Sequence, residues 1–143
     1  MNNIDKKEVK FGGEEAESIS LVKKLMIYQG IVNGIIMLLW LSVGLLFPIY
    51  QGSRGTAIVI GLIAVLIFWL IVIEGGRRLK SNSRKSIIGA LVLQIVAALI
   101  WIVTLFLGIN PISLINVLIS LLLIWLLGGI FLEKKAEVTN PIE

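Results

Sequence analysis

Ala57-Ile-Val-Ile-Gly-Leu-Ile-Ala-Val-Leu-Ile-Phe-Trp-Leu-Ile-Val-Ile73 carries no charge, no proline and no polar aliphatic side chain over seventeen residues. At ~1.5 Å per residue a helix of this length rises about 25 Å, close to the ~30 Å hydrocarbon core of a bilayer. A helix on the surface of a soluble protein repeats apolar residues at i, i+3, i+4 and i+7 and keeps a polar face. Here every face is apolar. The stretch reads as a transmembrane helix.

Three further runs share the texture, so the spans fall at about 25–47, 57–73, 87–107 and 112–132. The expected fold is an all-α membrane protein, a four-transmembrane-helix antiparallel bundle with both termini cytoplasmic. Of 143 residues 57% are hydrophobic and 15% charged, against about 25% charged in a typical soluble domain. A transmembrane β-barrel would need short alternating segments instead, and none is present. The expected organisation is a partly disordered N-terminal tail over 1–20, the membrane domain over 21–133 and a C-terminal tail over 134–143. The tail up to Gly13 reads as disordered, with a helix able to start near Glu14. The first apolar run is too long for a signal-peptide core, so an uncleaved first span is expected.

Charge placement decides the orientation. Twelve of the thirteen Lys and Arg residues lie before residue 25, in segment 74–86 or at Lys134 and Lys135; only Arg54 lies in the other two links. The positive-inside rule then puts both termini and the middle loop in the cytoplasm. Arg77, Arg78, Lys80, Arg84 and Lys85 form a basic loop suited to anionic lipid headgroups. The net charge of +4 sits beside the spans, so it points to the lipid bilayer and away from nucleic acid. Pro48 and Gly52-Ser-Arg-Gly55 punctuate one external turn. Gly108-Ile-Asn-Pro111 forms the other.

Cysteine and histidine are both absent, which removes disulfides, thiol chemistry and Cys/His metal sites. No phosphate loop, HExxH or pair of embedded carboxylates occurs. The chain is expected to be no enzyme, to use no cofactor and to bind no metal. Glu74, at the exit of span 2, is within one helical turn of Arg78 and reads as an interfacial ion pair.

What remains inside the spans is neutral. Span 1 holds Gln29 and Asn33, where a proton-coupled exporter would carry a carboxylate. Asn33 and Gln94 lie at matching depth, and Thr104, Ser113, Asn116 and Ser120 complete the intramembrane polar set. Ser113, Asn116 and Ser120 share one stripe of helix 4. Unpaired amides in hydrocarbon are costly, so these side chains should face protein. Gly30, Asn33 and Gly34 form one candidate helix-packing face, and Ala57 with Gly61 forms another, because small residues let backbones approach. Trp69 and Trp125 read as headgroup-level anchors, whereas Trp40 and Trp101 read as packed deeper. Aligning Trp69 with Trp125 also reveals a weak internal repeat.

These features lead to the expectation of a small non-catalytic membrane protein. It would act through helix–helix association with itself or another membrane protein, in an immunity, accessory or regulatory role. The alternative is a small oligomeric transporter or channel subunit with a neutral polar path. The expected location is the plasma membrane.

Overall fold

Backbone N–H and C=O groups in hydrocarbon have no water to bond, so each apolar run closes its hydrogen bonds internally as a helix. The computed structural model describes residues 3–46, 52–80, 83–107 and 110–139. In chain order they form α1 (Asn3–Leu46), α2 (Gly52–Arg78), α3 (Arg84–Leu107) and α4 (Pro111–Thr139). All four are long and apolar enough to cross a membrane, over Ala16–Leu46, Arg54–Arg78, Arg84–Phe106 and Pro111–Glu133. The chain is therefore a multi-pass membrane protein.

Sequence chemistry sets the ends. The Asn110 side chain accepts the Ser113 N–H at 2.7 Å, which makes Asn110 the N-cap of α4 and puts Pro111 at its first helical position. Ser83 caps α3 in the same manner, its hydroxyl accepting the Ser86 N–H at 3.3 Å. Gly52 opens α2 with φ of 82°, a conformation that disfavours any side chain.

Helix extends beyond the runs that predict it. Gly52-Ser-Arg-Gly55, expected as a turn, is the first turn of α2, and the Thr56 hydroxyl bonds back to the Gly52 carbonyl at 3.2 Å. Pro48, Gly108 and Ile109 lie outside the described residues. The stretch expected as disordered up to Gly13 continues α1, and α4 runs on through the expected C-terminal tail as far as Thr139. Lys, Glu and Ala are good helix formers, and extending an existing helix avoids the cost of nucleation.

α1 packs chiefly on α2 and α3 chiefly on α4; narrower α2–α3 and α1–α4 seams join the two pairs. Close approach of α1 to α2 depends on glycine. A Cβ on Gly30 would collide with the Ile73 side chain and stand 3.1 Å from the Trp69 carbonyl oxygen. A Cβ on Gly76 would lie 3.1 Å from Met26 Cβ. The interior mixes large apolar side chains such as Met26, Trp69, Ile87, Leu123 and Leu127 with small and polar groups: Ala90, Ala97, Ser113, Ser120, Asn33 and Gln94 are all buried. Many other large aliphatic and aromatic side chains point outward, with Leu46 79% and Phe106 87% exposed. An apolar exterior of this extent suits a bundle whose solvent is lipid, because leaving Leu against acyl chains forfeits no transfer gain.

Candidate functional site

Among the described residues, the buried polar ones of the membrane domain are Gln29, Asn33, Gln94, Ser113, Asn116 and Ser120. Two pairs bridge the α1–α4 seam. Gln29 Nε2 donates to Ser120 Oγ at 2.8 Å, and Asn33 Nδ2 donates to Asn116 Oδ1 at 2.8 Å. The amide of Asn116 in turn donates to the Ile112 carbonyl at 2.9 Å, which fixes its rotamer. Gln29 and Asn33 are four residues apart, as are Asn116 and Ser120, so each pair shares one helix face and two rungs form together.

Gln29 carried no partner assignment in the sequence, although its i+4 relation to Asn33 matched the Asn116–Ser120 stripe on helix 4. Depth alone set Asn33 level with Gln94; Asn33 instead bonds Asn116. Gln94 is fully buried, and neither its Nε2 nor its Oε1 finds a partner. The Ser113 hydroxyl is likewise buried and unpartnered. Thr104 contributes nothing to the seam, because its hydroxyl donates to the Ile100 carbonyl of its own helix at 2.8 Å. This back-bonding is a common outlet for hydroxyls in apolar helices.

Trp69 corrects its sequence reading. It is fully buried, with its ring 6.1 Å from that of Trp101 and 5.2 Å from that of Phe68. Its contact with Trp101 bridges α2 and α3, and the absence of a Cβ at Gly30 leaves room for its backbone. Trp125 is 73% exposed, as an anchor would be, while Trp40, expected to be packed, is 59% exposed. The two residues paired by the weak repeat therefore occupy opposite environments.

The small-residue faces also separate. Gly30 is buried against α2, whereas Gly34 has only Leu66 Cδ1 at 4.0 Å. Ala57 and Gly61 are exposed, and a Cβ on Gly61 would meet nothing within 4 Å.

At the α2–α3 link, Glu74 pairs with Arg78 at 2.6 Å and more loosely with Arg77 at 3.8 Å. These side chains are largely exposed, so screening by solvent weakens the pair. The Ser86 hydroxyl accepts the Lys80 N–H at 3.0 Å and bonds the Arg78 carbonyl at 3.3 Å, while Leu79 is buried beneath them. The guanidinium of Arg84 stacks over Phe131 at 5.0 Å and ties α3 to α4. Arg77, Arg78, Lys80 and Lys85 remain exposed. Comparison with family models, with curated proteins and with solved structures returned no match.

Proposed function

We propose that this chain is a small non-catalytic membrane protein that acts by docking a helix of another membrane protein against the outer face of α2. The role is that of an immunity, accessory or regulatory factor. The carrying observation is the open Ala57–Gly61 surface, with Ala64 also exposed one turn further on. Small residues at this spacing allow a second helix to approach closely. The rungs of Gln29, Asn33, Asn116 and Ser120 bond within the chain, so they are internal glue and not the docking face.

The topology belongs to the same reading. The bundle is antiparallel: α1 residues 26, 30 and 34 adjoin α2 residues 76, 73 and 66, a descending series that supports the assignment. Both termini and the α2–α3 link face the cytoplasm of a plasma membrane, supported by the concentration of Lys and Arg at that end. Arg77, Arg78, Lys80 and Lys85 meet anionic headgroups there.

Replacing Ala57 and Gly61 with Leu tests the docking face. Cross-linking in native membranes should then lose the partner captured by the unaltered chain, while the fold persists. Retention of every captured partner would refute the proposal. The second reading, an oligomeric transporter or channel subunit, is favoured by the unpartnered Gln94 and Ser113 inside the bundle. Solute flux into liposomes that is abolished by Gln94→Leu supports it, and flux indifferent to that change removes it.

A further inference from the structure

The narrow α1–α4 seam leaves a groove of about 310 Å³ beside the two polar rungs. Its walls are aliphatic: Leu25, Val32 and Ile36 from α1, and Ile112, Ile115 and Ile119 from α4. Gln29 and Asn116 also line it, and one amide N–H of each is engaged, by Ser120 Oγ and by the Ile112 carbonyl. The leftover Gln29 Oε1 is buried out of reach. The surface offered to a guest is therefore chiefly aliphatic. Tyr28 stands at its rim, 66% exposed, and Lys24, also exposed, lies one turn below Tyr28 on the same side of α1.

We propose that this groove is a specific site for one acyl chain of an anionic phospholipid, entering from the leaflet at the Lys24 end of α1, with its phosphate beside Lys24 and Tyr28. Length supports this occupant. The groove follows α1 from Leu25 to Ile36, eleven residue steps of ~1.5 Å or about 16 Å, the hydrocarbon depth of a single leaflet. A helix, ~10 Å or more across, is too thick to enter. Charge completes the match. Lys24 and the phenol of Tyr28 supply a cation and a hydroxyl at the level where a phosphate must sit when its chain lies in the groove.

The experiment uses the full chain in nanodiscs of phosphatidylcholine doped with phosphatidylglycerol, one of the two carrying a photoreactive acyl chain. Adducts should map to residues 25–36 and 112–119, and phosphatidylglycerol should label more strongly. Lys24→Gln should lower that preference about fivefold, the factor equivalent to ~1 kcal/mol per headgroup-facing cation. Val32→Trp, which fills the groove, should remove these adducts, while Ile31→Trp on the neighbouring open face should leave them. A second measurement does not depend on Val32→Trp folding: added phosphatidylglycerol should raise the Tm of the unaltered chain more than that of Lys24→Gln. Adducts spread evenly around all four helices would mean only annular lipid and overturn the site. Equal labelling by the two headgroups, or an intermolecular peptide cross-link in the groove, would overturn it as well.

Discussion

Gly30→Ala separates a sequence motif from a structural requirement. Gly30 and Gly34 form one GxxxG, and as a motif the two are equivalent. In the bundle they are not. A methyl group on Gly30 collides with Ile73 and sits 3.1 Å from the Trp69 carbonyl oxygen, which is helix backbone beside a fully buried indole. The Ile73 side chain can rotate, but the carbonyl cannot yield without moving α2. Overpacking of this kind costs about 1–3 kcal/mol, against roughly 1 kcal/mol regained from the better helix propensity of Ala. The net expectation is a loss of up to about 2 kcal/mol. Gly34→Ala meets only an ordinary contact with Leu66 at 4.0 Å, and Gly61→Ala meets nothing. Both should keep the propensity gain, up to about 1 kcal/mol. The assay is unfolding by titration with a denaturing detergent in mixed micelles, followed through tryptophan fluorescence as Trp69 and Trp101 leave the interior. If Gly30→Ala proves as stable as Gly34→Ala, the close α1–α2 approach is wrong.

Three further outcomes follow from the interior. A double-mutant cycle of Asn33→Leu and Asn116→Leu should give a coupling of about 0.6 kcal/mol and no more than about 1.7, the range for hydrogen bonds between membrane helices; zero coupling would dissolve that rung. Gln94→Leu should stabilise the bundle by about 1–3 kcal/mol, because it removes a buried amide with no partner. A destabilised Gln94→Leu variant would reveal a partner for that amide, such as an ordered water. Single-tryptophan variants in brominated lipid should show strong quenching of Trp40 and Trp125 and weak quenching of Trp69 and Trp101. Equal quenching of all four would contradict their burial.

The membrane class and the four helices were legible in the sequence because lipid imposes a local rule. A run of apolar residues long enough to cross must close its own backbone hydrogen bonds, whatever it packs against. Of the polar side chains expected to turn away from lipid, Asn33, Gln94, Ser113, Asn116 and Ser120 are buried, whereas Thr104 is half-buried and bonds its own helix. Helix bounds were less legible, since α1, α2 and α4 extend into the flanking polar residues once a helix exists to be extended.

Pairing was decided only by tertiary structure. Nothing local distinguishes Trp69 from Trp125, yet the narrow α2–α3 seam encloses the first and leaves the second facing lipid. The same holds for Gly30 against Gly61, and for Asn33 choosing Asn116 over Gln94. In a chain this uniformly apolar, burial brings no hydrophobic gain that could write an inward face into the residue pattern. Which side of each helix turns inward is set by backbone approach and hydrogen bonds between distant segments, and those exist only once the helices have assembled.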